Sequence, residues 1–172
     1  LWLGRTYKQQ LQAASFFEKG ILSGKALENY KKAVKVDPEN VTARIALANY
    51  YIHAPSIGGG SISKAKEQVE EVKKYDPEEA VVLMAEIYTS ENNYDAAIEE
   101  YKRLLEIEPG NTNACYRLGM LYQGLEQYAE AMDMFEMAVS IDTNEFASLY
   151  QVGRTSIFSG TNFPRGIECM KS

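Results

Sequence analysis

A single histidine, His53, serves the whole 172-residue chain. That scarcity excludes a histidine-rich metal site and leaves any hydrolytic triad dependent on one residue in a turn. Cysteine is almost as scarce: Cys115 and Cys169 stand 54 residues apart, in no metal-ligand spacing. Both are expected as free thiols in or near the core, with a disulfide as the minority reading. No stretch approaches the roughly 18 apolar residues that cross a bilayer, and no signal peptide is visible. The chain begins at Leu1 rather than methionine, so removal of a leader or upstream segment stays open, and with it the compartment, cytoplasmic or exported. A basic excess is missing too. Eighteen Lys and Arg against 24 Asp and Glu give a net charge of −6, which disfavours nucleic acid and anionic membrane surfaces as partners.

What is present is helical patterning with an internal period. The composition, 45% hydrophobic and 24% charged, is that of a soluble globular protein, with twelve tyrosines against one tryptophan. Proline after an acidic residue recurs at Asp37-Pro38, Asp76-Pro77 and Glu108-Pro109, and Asp142-Thr143 holds the equivalent place, at intervals of 39, 32 and 34 residues. One unit reads Cys115-x-x-Leu118-Gly119-x-x-Tyr122, then Ala131, Phe135, Ala138 and Thr143. The unit before it reads Val81-x-x-Met84-Ala85-x-x-Tyr88, then Ala97, Tyr101, Leu104 and Pro109, at identical spacings.

This pattern resembles the tetratricopeptide repeat, a helix–turn–helix unit of 34 residues. Each residue type has a packing reason. Tyrosine and the second aromatic fill the space between two antiparallel helices. Gly119 or Ala85, with Ala131 or Ala97, lets the backbones approach, and proline forces the turn into the next unit. The resemblance implies an all-α fold, a right-handed α-solenoid of antiparallel helix pairs forming a superhelix of about five repeats. One domain over residues 1–172 is expected, with units near 1–39, 40–77, 78–111, 112–145 and 146–172. The first unit opens at Leu3-Gly4-x-x-Tyr7 and resumes ten residues late at Ala26; the extra residues are expected to lengthen its first helix past Phe17. The second carries five extra residues in its turn, and the fifth runs to Gly166 and Met170. With no polar closing helix in view, the array reads as a fragment or as a protein that covers its open end by association.

Ten helices are expected, near residues 1–18, 24–36, 40–53, 62–75, 78–90, 94–107, 111–124, 128–141, 145–159 and 164–172. Asn40, Ser61 and Asn111 are the cap signals. Glu28 with Lys32, Glu70 with Lys74, and Glu99 with Arg103 sit four apart on second helices and mark a solvated face.

Chemistry is sparse. The turn His53-Ala54-Pro55-Ser56-Ile57-Gly58-Gly59-Gly60-Ser61 could cradle an anion on free backbone N–H groups, but it lacks the Walker spacing and a preceding strand. A turn needing positive φ, closed by Ser61 as a cap, is the plainer reading. No catalytic residue, metal or cofactor is expected, and the chain is not expected to be an enzyme. The resemblance implies a concave surface lined by first helices, where extended peptides lie. Its lining positions would be Ile45 and Asn49; Val82 and Glu86; Tyr116, Arg117 and Met120; and Tyr150, Gln151 and Arg154. Of these, Asn49, Glu86, Tyr116, Arg117, Met120, Tyr150 and Arg154 are the expected partner-binding residues. The two lysines of the family's carboxylate clamp are missing in either register. The expected function is therefore a scaffold or adaptor that binds a protein or peptide in the groove. Self-assembly into a homo-oligomer is the alternative, with a small-ligand site at residues 53–61 behind it.

Overall fold

The computed structural model describes residues 16–160 and 163–169. Most of the first expected helix, with Leu3, Gly4 and Tyr7, lies outside them, as does Met170. Among the described residues every regular element is helical. Their contacts divide the chain into two compact units, Leu1–Asn93 and Tyr94–Ser172.

In the first unit α1 (Phe16–Val36), α2 (Val41–His53), α3 (Ile62–Val72) and α4 (Pro77–Ser90) pack against their chain neighbours through short connections, which makes consecutive helices antiparallel. The core joins the expected repeat positions: Leu47, Ala48 and Tyr51 on α2 meet Ala65, Val69 and Val72 on α3, with Leu83 and Ile87 of α4 and Ala26 and Tyr30 of α1. Helix starts are chemically fixed. Asn40 accepts the Ala43 N–H at 2.9 Å, Asp76 accepts that of Glu79 at 3.0 Å with Pro77 directly behind it, and Ser61 caps α3.

Two boundaries depart from expectation: α3 ends at Val72 rather than near residue 75, and α1 begins earlier than residue 24. The break expected between residues 18 and 24 is helix: α1 runs unbroken from Phe16 through Gly20 and Gly24. A glycine inside a helix costs about 1 kcal/mol against alanine, which the packing of Ala26 and Tyr30 outweighs.

The second unit holds α5 (Tyr94–Ile107), α6 (Thr112–Gly124), α7 (Tyr128–Ile141), α8 (Phe146–Ser159) and α9 (Phe163–Cys169). Here α6 packs on α7, α7 on α8 and α8 on α9, while α6 and α8 also touch. A Cβ added to Gly119 would stand 2.6 Å from Phe135 Cε1, so the glycine is what lets the fully buried phenylalanine plug the α6–α7 gap. The last pair closes tighter. Ser156 stands where Tyr122 stood one period earlier, and a Cβ on Gly166 would lie 2.8 Å from the Ser156 Cβ.

The period is also written in the backbone. Asn92 (φ 58°), Glu126 (φ 61°) and Gly160 (φ 67°) are left-handed residues spaced 34 apart. The first two sit in one hydrogen-bonded stop: Asn93 N–H donates to Tyr88 O at 2.8 Å, and Gln127 N–H to Tyr122 O at 2.9 Å. The surface ion pairs use a different spacing from that expected. Lys74 pairs with Glu71 rather than Glu70, and Arg103 with Glu100 rather than Glu99, three residues apart. At exposed positions the two spacings differ by only a few tenths of a kcal/mol, so local rotamers decide.

Candidate functional site

The expected binding residues fall in both units. In the first, Asn49 is half-buried on α2, and Glu86 on α4 faces His53, whose Nε2 lies 3.4 Å from Glu86 Oε2. Val82, expected to line the groove, is instead buried at 1% exposure, and Ile45 packs against the core. Val82 was expected there from its position in the middle of a first helix; it lies instead in the continuous apolar run Ala80–Ala85.

The glycine-rich turn is not an anion cradle. Its consecutive N–H groups are consumed internally: Gly58 and Gly60 donate to Pro55 O, Gly59 to Ser56 O and Ser61 to Tyr51 O. Tyr50 adds its hydroxyl to Gly58 O at 2.7 Å. The glycines serve packing and geometry. Gly59 has φ 92°, and a Cβ on Gly60 would fall 1.8 Å from Ala54 O.

In the second unit Tyr116, Arg117 and Met120 are half-buried on α6, and Tyr150 (58% exposed) and half-buried Arg154 lie on α8. Tyr150 and Arg154 are four apart and share one helix face. Arg154 lies over the Phe158 ring, 5.1 Å from its centroid, and Phe158 stacks on Tyr128 at 6.2 Å. Arg117 Nε donates to Asn113 Oδ1 at 3.2 Å. The Tyr116 ring stands 6.0 Å from that of Phe135 on α7. Gln151 is a correction. Expected to line the groove, it is buried at 5% exposure, its Oε1 facing Gln123 Nε2 at 3.4 Å, while the same amide donates to Thr155 at 2.7 Å. This polar cluster, which the sequence reading missed, ties α6 to α8.

Cys115 and Cys169 are buried free thiols, and burial pushes the Cys115 thiol above its ordinary range, away from the nucleophilic thiolate. Among the described residues no group of three His, Cys, Asp or Glu could hold a metal ion, and no helix is long and apolar enough to cross a membrane. What the arrangement can do is present aromatic, thioether and guanidinium groups on adjacent helices.

Comparison with known proteins agrees with this architecture. The chain is 28% identical over 144 residues to the BBSome complex member BBS4 of Bos taurus, covering 80% of this chain and 26% of that protein. It is 27% identical over 126 residues to the probable UDP-N-acetylglucosamine–peptide N-acetylglucosaminyltransferase SPINDLY of Hordeum vulgare, covering 68% of this chain and 13% of that one. The chain therefore spans about a quarter or less of these relatives' lengths. Among solved structures, MamA (41-end) from Desulfovibrio magneticus RS-1 superposes with a TM-score of 0.58 at 17% identity, covering 98% of this chain and 92% of that one. YrrB, described as a TPR protein with an unusual peptide-binding site, gives 0.53 at 16% identity, covering 98% and 90%. Two models of the tetratricopeptide repeat match residues 57–112 and 88–152. Together these matches span more than half of the sequence, and the chain belongs to the tetratricopeptide-repeat family.

Proposed function

We propose that the chain is a protein–protein interaction module, a scaffold or adaptor that holds a peptide or protein segment against the first helices of its repeats. The observation that supports the reading is the contact of α6 with α8, two helices that carry the exposed or half-buried Met120 and Arg117 on one and Tyr150 and Arg154 on the other. Tyrosine, methionine and arginine are enriched at interaction surfaces because they bury much area at little entropic cost and still offer polar ends. Tyr150 and Arg154 anchor the ligand, and Arg117 orients it. The five units expected from the sequence belong to the same proposal, as one array. Partners are proteins or peptides rather than nucleic acid. The transferase activity in the SPINDLY name belongs to a protein of which this chain covers 13%, and catalysis is not part of the proposal.

The test is selection of binders from a random peptide library on the purified chain, then affinities for Tyr150→Ala and Arg117→Ala. Each substitution is expected to weaken binding by roughly 1–3 kcal/mol while the helical content holds. Selected peptides that bind the folded double variant unchanged would refute the reading.

Self-association is a second reading, favoured by one observation. Ile157 occupies the place that Gln123 holds one period earlier, where Gln123 meets the next first helix, yet Ile157 and Ile167 are 59% and 54% exposed. A second copy covering these isoleucines would make light scattering depend on concentration; a monomer across the whole range removes this alternative.

A further inference from the structure

We infer that the surface on α6 and α8 selects an acidic peptide, one whose Asp or Glu side chains alternate with apolar or aromatic ones. This inference rests on the proposed docking role of that surface and names the chemistry of its occupant.

The observation is the distribution of charge within the second unit. That unit is acidic overall, yet none of its carboxylates lies on α6 or α8. Each of these helices carries one charged residue, and both are arginines: Arg117 and Arg154. With 24 acidic residues in 172, two helices of 13 and 14 residues would carry about four carboxylates at the chain's average density. Among the other first helices α2 likewise carries no carboxylate, whereas α4 holds Glu78, Glu79 and Glu86. Glu145, at the start of α8, is engaged as its cap and accepts the Ser148 N–H. The described acidic groups of the unit lie instead on α5, on α7 and in the turns.

Arg154 adds the second strand of the argument. Among the described residues no carboxylate pairs with it; its recorded neighbour is the Phe158 ring at 5.1 Å. Stacking on an aromatic face leaves the edge of a guanidinium, with its N–H donors, open to a carboxylate, and holds it in place before the ligand arrives. Beside it Tyr150 and Phe158 are 58% and 50% exposed. The surface therefore offers fixed cationic donors flanked by apolar area, in a unit whose other charges repel anions from its second helices. An acidic, aromatic-bearing segment matches both features; a basic one would leave Arg154 and Arg117 facing like charge.

The experiment uses the full chain and three fluorescein-labelled synthetic peptides of one sequence pattern. Their apolar positions are Leu and Phe, and their polar positions are Glu in the first, Gln in the second and Lys in the third. Fluorescence anisotropy is expected to rank Glu above Gln above Lys, with Glu at least about ten-fold tighter than Gln. Arg154→Gln should remove most of that preference, weakening the Glu peptide far more than the Gln peptide, and Arg154→Lys should restore part of it. Equal binding of the Glu and Gln peptides would overturn the acidic preference but leave the docking role standing. Failure of all three to bind would count against both. Self-association of the chain that Arg154→Gln abolishes, without binding of the Glu peptide, would identify a second copy as the occupant and overturn the inference.

Discussion

The side-chain amide of Gln123 donates to the hydroxyl of Thr155 across 2.7 Å, inside the seam between two first helices, where Thr155 is fully buried. With Gln151 facing the same amide, three polar side chains satisfy one another in a place that apolar packing would otherwise fill. Such a cluster fixes the register of α8 on α6, because any slip leaves buried donors without acceptors.

Thr155→Val keeps the shape and removes the acceptor. It is expected to destabilise the chain by about 1–2 kcal/mol, the penalty of an unsatisfied buried amide. Adding Gln123→Leu should cost less than the sum of the two single changes, since the orphaned donor leaves with it. Chemical denaturation of the four variants in the cycle measures both effects.

Ser148 carries the opposite case. Its hydroxyl is fully buried with no hydrogen-bond partner, whereas the equivalent place one period earlier holds Ala114. Ser148→Ala is expected to raise stability by up to about 1 kcal/mol, because it removes a desolvated polar atom and little volume. A drop in the denaturation midpoint would mean that the hydroxyl has a role in holding α8.

Glu126 stands in the left-handed region with an exposed side chain, between Asn92 and Gly160 in the same place of neighbouring units. A non-glycine residue there is strained by about 1 kcal/mol, offset in part by the greater unfolded-state freedom of glycine. Glu126→Gly should therefore stabilise by roughly 0.5 kcal/mol, with Glu126→Asn in between. Thermal melts of the three proteins check the order.

Alkaline pH should loosen the fold. Burial raises the Cys115 thiol, and burial with Glu67 and Tyr50 nearby raises the Tyr51 phenol. In both cases the native state holds its proton to higher pH than the unfolded chain does. Their contribution is fully present below the ordinary pKa values and is lost as pH rises through the raised ones. Denaturation midpoints are expected to fall above about pH 9, and less so in Tyr51→Phe. Cys115 should resist alkylation until the chain unfolds.

The repeat was legible because its packing rests on residue size at fixed intervals: Gly119 and Phe135, Ala131 and Ala138 mean the same thing in any chain that packs two helices so closely. The start of α1 was not, since Gly20, Ser23 and Gly24 carry turn propensity and the buried residues after them outweigh it. The binding surface was legible in part. Tyr150 and Arg154 lie exposed or half-exposed on one helix face, but Gln151 looked like a solvent-facing polar residue. Its partner, Gln123, lies 28 residues away on another helix, and no single-helix pattern reveals such a pairing. The glycine run was ambiguous for a related reason: identical glycines serve an anion or a tight turn, and only the destinations of their N–H groups separate the two.

Hydrogen–deuterium exchange on the full chain, with and without a selected peptide, tests the docking surface most directly. Binding along the first helices should slow exchange in Thr112–Gly124 and Phe146–Ser159 and leave Tyr94–Ile107 and Tyr128–Ile141 unchanged. Protection confined to those latter two helices would place the ligand on the opposite face and contradict the proposed function.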